Sequence, residues 1–421
     1  MNLARLAAAC MIGALAGVAA SRDAFAQSAP VMVRSDPRIS EIRLEVELFQ
    51  QESVTRYGRV TVNGVTTETS TSDGQLYKTK KLEVAVPVLI RTSWCDTDFS
   101  KIQVRAIADG HDALLDPSKV FRRLDGVEAI LNYDLAFPRG YFNTLLLRST
   151  FQVQSWELAV DEIAAARSTW PRQWPDGMER FLGSEPGIDP AAPAIKAFAE
   201  GATPGGPRSV SPFIAARNAA VALAHKWRVT NSTTSVYGQR GALRGLNFTV
   251  NQPWGLEAGG GTPVELAATC VSALRSLGIP SRVVYCLERG ERSRSRSTAD
   301  DDREKSSRSE FRMICEFFLP DIGWIPFDPL YMRSRGGAMA PNRTGPIKGF
   351  ANIPDIQTAL PLAFRQVPAG FEMADRYALW GWKGTVDPDE DRAVTRIDYD
   401  SSSRGNGAPP KQPAPVGDKP G

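Results

Sequence analysis

The chain has 421 residues, of which 42% are apolar and 23% are charged, and its formal net charge at pH 7 is +3. These values are typical of a globular protein, and the length predicts two or three domains. The net charge is too small for a chain of this length to indicate a nucleic-acid partner. After the first 26 residues, the sequence contains no run of the roughly 18 apolar residues that a membrane-spanning helix needs.

Residues 1–26 have the pattern of an export signal. Arg5 supplies a positive start, a weakly apolar run follows over residues 6–20, and Ala24-Phe25-Ala26 fits a small-x-small cleavage site. Lipid attachment at Cys10 fits less well, because almost no apolar run precedes it. The sequence therefore predicts an exported, mature chain that starts near Gln27 and is periplasmic or secreted.

Residues 27–153 are predicted to form an antiparallel β-sandwich-like domain. Apolar and charged residues alternate over 42–48 and 82–88, which is the period of a half-buried strand. Asn63-Gly64 marks a turn between these two runs. Further strand-like runs lie around residues 102–107, 130–135 and 144–153. Short strands at this spacing are typical of a sandwich.

Residues 154–385 are predicted to form a second domain that begins with helices, so the fold class is α+β. Its most clearly bounded helix lies between Thr262 and Gly278. Thr262 and Glu265 form a capping-box pattern, Pro263 holds the first helical position, and a Gly-Ile-Pro stop ends the helix. Apolar residues recur inside it at helical spacing, so we expect a broad buried face.

Two strands are predicted after this helix, over 282–287 and 311–319. The charged insertion between them, 288–310, is rich in Arg, Ser and Asp. Such a run indicates either a solvated loop or a docking segment for an acidic partner. Residues 386–421 are predicted to be a C-terminal extension, disordered from about 401 because of their composition.

Four cysteines follow the signal, namely Cys95, Cys270, Cys286 and Cys315. Their spacing matches no zinc-ligand pattern, and the sequence indicates no metal or other cofactor. Because an oxidising compartment permits pairing, Cys286 and Cys315, on consecutive predicted strands, are interpreted as cross-strand neighbours or a disulfide.

Three motifs in the second half of the chain follow one another in a distinctive order. Leu-Arg-Ser-Leu-Gly-Ile-Pro-Ser-Arg-Val-Val over residues 274–284, a strand ending at Leu319-Pro320, and Gly-Trp-Ile-Pro-Phe-Asp-Pro over 323–329 follow in that order. This order resembles the bacterial transglutaminase-like superfamily, over roughly residues 170–335. The resemblance implies a papain-like fold and, in active members, a Cys-His-Asp triad.

The triad positions differ in this chain. The family's cysteine begins the helix that ends at Gly-Ile-Pro, where the helix dipole favours a thiolate, and counting back reaches Pro263. The family's histidine lies four residues before the acidic residue of the next strand, Glu316 here, and counting back reaches Arg312. Of the three triad positions, only the aspartate is kept in this chain, as Asp328. Arginine keeps its proton and cannot act as a base. We expect Arg312 instead to form an ion pair with Asp328, although a solvent-facing Arg312 is the alternative.

Cys270 is a poor substitute nucleophile. It lies seven residues beyond Pro263, about 10 Å along the helix, where the helix dipole gives little help. A small buried thiol is the ordinary interpretation. Neither His111 nor His225 falls where the family's histidine would stand, and both are interpreted as surface residues.

Three classes of function remain open from the sequence. The first is an exported, catalytically inactive transglutaminase-like protein that binds or scaffolds an envelope protein or glycan. The second is an active cysteine acyltransferase or peptidase with a displaced nucleophile. The third is a structural envelope protein, or an enzyme that uses the carboxylates of Glu265, Glu316 and Asp328. The apparent loss of nucleophile and base favours the first.

Overall fold

The computed structural model describes residues 30–50, 54–62, 65–73, 77–185, 187–229, 260–289, 309–335, 346–365, 381–383 and 393–406. The predicted export signal lies outside these residues. So do residues 290–308 of the predicted charged insertion and residues 407–421 of the predicted disordered tail.

The described elements are mostly strands, with five α-helices. In chain order the strands are β1 (Met32–Gln50), β2 (Val54–Val62), β3 (Val65–Asp73), β4 (Tyr77–Lys78), β5 (Lys81–Leu89), β6 (Cys95–Ala108), β7 (His111–Asp112), β8 (Phe121–Arg123), β9 (Glu128–Ala136), β10 (Tyr141–Phe142), β11 (Leu145–Val160), β12 (Arg228–Val229), β13 (Gly260–Gly261), β14 (Ser281–Arg289), β15 (Ser309–Leu319), β16 (Gly323–Phe327), β17 (Leu360–Ala363), β18 (Gly381–Lys383) and β19 (Ala393–Asn406). The helices are α1 (Glu162–Ala165), α2 (Pro193–Ala202), α3 (Pro212–Lys226), α4 (Pro263–Ser276) and α5 (Pro329–Arg335).

Two antiparallel sheets form the N-terminal region, as the alternating pattern predicted. One has the order β19-β1-β11-β6-β7 and the other β18-β5-β9-β8. The apolar positions of the first alternating run, Ile42 to Leu48, are buried. Across the two sheets, the Tyr133 hydroxyl of β9 hydrogen-bonds the Ser149 hydroxyl of β11. The predicted α+β class, with a β-rich region before the helices, is confirmed.

The C-terminal part of the chain completes both of these sheets. β19 pairs along β1 from Gln50 to Arg38, and β18 pairs with β5. The prediction of disorder from about 401 is therefore wrong as far as Asn406, because β1 supplies the backbone partners that composition alone does not reveal. At the other end of the predicted β domain, β11 runs through the boundary at residues 153–154 and ends at Val160.

A third antiparallel sheet, in the order β16-β15-β14-β17, carries the motif region. Helix α4 packs on β14 and β15. Four buried aromatic rings extend this core. Phe213 of α3 packs against the rings of Phe317 and Phe350, and Phe327 packs against the same two rings. Within the described residues, no helix has both the length and the apolar character to cross a membrane.

Candidate functional site

The start of α4 has the predicted capping box. The Thr262 hydroxyl accepts the Glu265 N–H at 3.2 Å, and the Glu265 carboxylate accepts the Thr262 N–H at 2.6 Å. Pro263 holds the first helical position and is buried. Since proline has no N–H, the missing donor leaves no unsatisfied group at a helix start. Residue 263 therefore offers neither a thiol nor a backbone donor at the start of α4.

The glycines before α4 are required by close packing. A Cβ on Gly261 would lie 2.6 Å from a Glu265 carboxylate oxygen and 2.8 Å from the Trp227 ring, and one on Gly260 would lie 2.2 Å from the Arg228 carbonyl oxygen. The Gly260 contact arises because β12 and β13 pair in parallel, with Arg228 opposite Gly260. The Trp227 indole N–H also donates to the Gly261 carbonyl at 3.3 Å. The approach to the helix start is therefore filled with side-chain and backbone atoms.

Arg312 of β15 and Asp328, the residue after β16, are in contact. The Arg312 Nε donates to Asp328 Oδ2 at 2.8 Å, which confirms the predicted ion pair. The Arg312 Nη1 donates to Glu288 Oε1 at 2.8 Å. Burial lowers the pKa of Arg312, but Asp328 and Glu288 more than offset that effect, so the pKa is raised. The guanidinium is a permanent cation that bridges two carboxylates.

Both oxygens of Asp328 have partners. Besides the contact to Arg312, Oδ1 accepts the Tyr331 N–H at 2.8 Å and so caps the start of α5. Asp328 is buried. Its carboxylate holds β15 and α5 together through Arg312 and Tyr331.

Glu288 was not predicted to belong to this cluster. The sequence predicts that it begins the charged insertion, but β14 continues through Arg289 and β15 begins at Ser309. Residues 281–287 are all buried, so β14 has no alternating pattern whose continuation could have marked Glu288 as part of the strand. Burial raises the pKa of Glu288, and Arg312 opposes this shift.

Cys270 is buried in the middle of α4 and has the surroundings of an inert thiol. Burial raises its pKa, so the thiolate is disfavoured. His225 is exposed in the last turn of α3, and His111 is exposed in β7. The structure thus assigns Cys270 to the core.

Cys286 and Cys315, interpreted from the sequence as cross-strand neighbours or a disulfide, are neither. Both thiols are free and buried. In the β14–β15 ladder, Cys286 lies opposite Arg312, whereas Cys315 lies opposite Val283. Because side chains alternate between faces, the three-residue offset directs the two thiols to opposite sides of the sheet. Consecutive strands were predicted correctly, but their register was not available from the sequence.

The three carboxylates considered for unrelated chemistry each have separate partners. Glu265 belongs to the capping box, and Asp328 binds Arg312. Glu316 is fully buried. Its carboxylate accepts hydrogen bonds from the Arg282 Nε and from the Ser93 hydroxyl, each at 2.7 Å. In the part of the chain that the structure describes, no group of three or more His, Cys, Asp or Glu side chains is arranged to hold a metal.

Residues 217–329 match the family model of the transglutaminase-like superfamily. This segment contains α4, β14, β15, β16 and Asp328. The chain carries a transglutaminase-like domain. The positions that the sequence resemblance assigns to the triad, Pro263, Arg312 and Asp328, all lie within the matched segment.

Among solved structures, the chain is similar to a proposed cysteine protease from Cytophaga hutchinsonii. The two are 10% identical, the match covers 90% of this chain and 95% of the other, and the TM-score is 0.48. It is also similar to the periplasmic domain of TgpA from Pseudomonas aeruginosa. The two are 13% identical, the match covers 72% of this chain and 94% of the other, and the TM-score is 0.26. At these scores neither likeness bears on activity. No curated protein matches the chain.

Proposed function

We propose that this protein is an exported transglutaminase-like protein without cysteine acyltransferase or peptidase activity, whose former catalytic region and β domain bind an envelope protein or a glycan. The observation that carries the proposal is the ion cluster of Arg312, Asp328 and Glu288, in which a permanent cation takes the place of a proton-shuttling base.

Acyl transfer by a thiol needs a nucleophile and hydrogen-bond donors for the oxyanion. Pro263 supplies neither, because its side chain is inert and its nitrogen carries no hydrogen. The neighbouring Thr262 N–H is already bound by the Glu265 carboxylate. An oxyanion that developed here would meet a carboxylate instead of a free donor.

General-base catalysis also needs a group that takes up and releases a proton near working pH. The raised pKa of Arg312 excludes that role for the guanidinium. Both Asp328 oxygens are engaged, by Arg312 and by the start of α5. The remaining aspartate therefore supports the structure of the domain instead of orienting a base.

A displaced cysteine is the alternative enzyme hypothesis. The described cysteines are all buried, and burial raises the pKa of each thiol. Reactive cysteines instead have depressed pKa values in exposed, electropositive surroundings. No observation on the described residues favours this alternative.

A thiol-reactive probe at pH 7 tests the loss of activity. We expect native protein to label slowly and all cysteines to label only after denaturation. Rapid labelling of one cysteine in native protein, lost in Cys270→Ala, would overturn the proposal. As a positive control, Pro263→Cys combined with Arg312→His should give a native thiol that labels faster than the thiol of Pro263→Cys alone.

Export and binding need separate measurements. Cell fractionation of the full chain and of a chain lacking residues 2–26 should place only the full chain outside the cytoplasm. Purified protein should then co-sediment with isolated envelope glycan or be retained by an envelope-protein fraction. Cytoplasmic full-length protein, or protein that binds neither material, would contradict the corresponding part of the proposal.

A further inference from the structure

A small cleft lies where the sheet that contains β5 and β9 meets β17. Its walls are mostly apolar and include Leu362 of β17. Pro87 and Leu89 of β5 lie opposite Ile130 and Glu128 of β9. Because residues two apart on a strand share a face, all four side chains project to the same side of the sheet. The cavity volume is about 20 Å³, which is room for a water molecule or a methyl group and not for a large side chain.

Glu128 is the acidic group of the cleft wall, and its side chain is 15% exposed. Its neighbouring cations are Arg180 and Arg365, each with a nitrogen 3.8 Å from Oε2, which is longer than a hydrogen bond. Within the described residues, no donor forms a hydrogen bond to this carboxylate. Burial raises the pKa of Glu128, and Arg365 opposes the shift without cancelling it. A donor placed directly against the carboxylate would therefore stabilise its ionised form.

Arg365 is the basic group of the same cleft, and its side chain is 48% exposed. Arg180 differs from it, because Arg180 Nη1 donates to Asp125 Oδ2 at 3.0 Å. Among the residues that the structure describes, Arg365 has only the long contact to Glu128 as an ion pair. Its guanidinium therefore keeps N–H donors that a ligand carboxylate can accept.

The backbone around Glu128 is held in place by a turn. The Asp125 carboxylate accepts the N–H groups of Val127 and Glu128, each at 2.7 Å. The Leu124 N–H donates to the Glu128 carbonyl at 2.9 Å. Leu124 also lines the cleft and is 38% exposed, so the cleft opens to solvent beside it. The acidic group is preformed, and a ligand pays little to order it.

We propose that this cleft binds a free α-amino acid with a small apolar side chain, of the size of alanine. The ligand's ammonium group donates to the Glu128 carboxylate, its carboxylate accepts from the Arg365 guanidinium, and its methyl group enters the cavity between Ile130 and Leu362. A zwitterion suits a loosely paired acid and base. A simple anion would be repelled by Glu128, and a simple cation by Arg365. The binding requires neither the loss of catalysis nor the export proposed above.

Isothermal titration calorimetry of the full chain with L-alanine at pH 7 tests the proposal. We expect saturable binding of alanine. N-acetyl-alanine lacks the ammonium group and alaninamide lacks the carboxylate, so each should bind at least about tenfold more weakly. Leucine should also bind more weakly, because its side chain exceeds the cavity. Absence of saturable alanine binding, or equal binding of either capped ligand, would overturn the proposal.

Variants locate the binding in this cleft. Arg365→Ala and Glu128→Gln should each weaken alanine binding by about tenfold or more. Arg91→Ala is the matched control, since Arg91 is an exposed arginine whose ion pair is with Asp96, and it should bind alanine as the unaltered chain does. Unchanged affinity in Arg365→Ala would overturn the proposal. Because the Arg365 side chain is half exposed, that variant keeps the test decisive if Glu128→Gln does not fold.

The titration is independent of the measurements on the proposed function. It uses purified protein and a small ligand, whereas loss of activity is read from thiol labelling and export from cell fractionation. A chain that fails to bind alanine leaves those two results unchanged. Rapid thiol labelling or cytoplasmic location would likewise leave alanine binding at the Glu128–Arg365 cleft intact.

Discussion

Arg312 and Asp328 form a buried ion pair in which Nε and Oδ2 are 2.8 Å apart and the side chains are 12% and 5% exposed. Arg312 makes a second ion pair with Glu288 at 2.8 Å. Two carboxylates therefore share one guanidinium. Removing the guanidinium would leave both carboxylates without their cation.

We expect Arg312→Ala to destabilise the protein by about 3–5 kcal/mol, since it leaves a buried carboxylate uncompensated. The measurement is urea unfolding at neutral pH. Arg91→Ala is the matched control, because its ion pair with Asp96 is largely exposed and should be worth less than about 1 kcal/mol. Equal losses in the two variants would show that the Arg312 cluster is not a buried structural element.

We expect stability to fall as pH rises above about 9 under reducing conditions. The ordinary thiol pKa is 9.0, and burial raises the pKa of Cys95 to about 12 and also raises those of Cys270, Cys286 and Cys315. Below pH 9 the thiols are protonated in both the folded and the unfolded state, so their contribution to the free energy of unfolding is fully present. Above pH 9 the thiols of the unfolded state lose their protons first, and the free energy of unfolding falls.

The thermal midpoint between pH 8 and 11 measures this alkaline loss. Cys95→Ala removes one of the titrating thiols and should reduce the slope of unfolding free energy by about 1.4 kcal/mol per pH unit between 9 and 11. A variant with an unchanged slope would mean that Cys95 does not stay protonated in the folded protein.

Gly261→Ala should destabilise the start of α4. The added methyl would lie 2.6 Å from the Glu265 carboxylate and 2.8 Å from the Trp227 ring, so the capping box must shift. We expect a loss of about 1–3 kcal/mol, measured by urea unfolding. Gly126→Ala is the control, since its methyl would meet no atom within 4 Å. A neutral Gly261→Ala would imply that the packing at the helix start is loose.

Truncation after residue 392 should strongly destabilise the β region. It removes β19, which carries the buried Ile397 and pairs with β1 from Arg38 to Gln50. The Tyr399 hydroxyl also donates to the Thr358 carbonyl at 3.0 Å, a contact that the truncation would abolish. The exposed β1 edge should promote aggregation, which light scattering would detect. Truncation after residue 406 is the control and should leave both the thermal midpoint and scattering unchanged.

Local features were predictable from the sequence because their interactions lie within a few residues. The capping box of Thr262 and Glu265 spans one helical turn, and the alternation over residues 42–48 follows directly from strand geometry. The Arg312–Asp328 pair was also predicted, through motif positions that assign both residues to adjacent strands. The assignment of Pro263 and Arg312 as lost triad members stays a proposal.

Tertiary structure decided the relations that depend on strand register and distant backbone partners. Composition could not show that residues 401–406 pair with β1, because that pairing uses backbone groups common to every sequence. Spacing could not show that Cys315 faces Ala267 instead of Cys286, since a shift of one residue reverses every side chain. The sequence by itself determined that the motif strands carry an arginine at 312 and an aspartate at 328 that can pair with each other. Only the folded sheet decided that Glu288 joins them, because its strand extends beside Arg312.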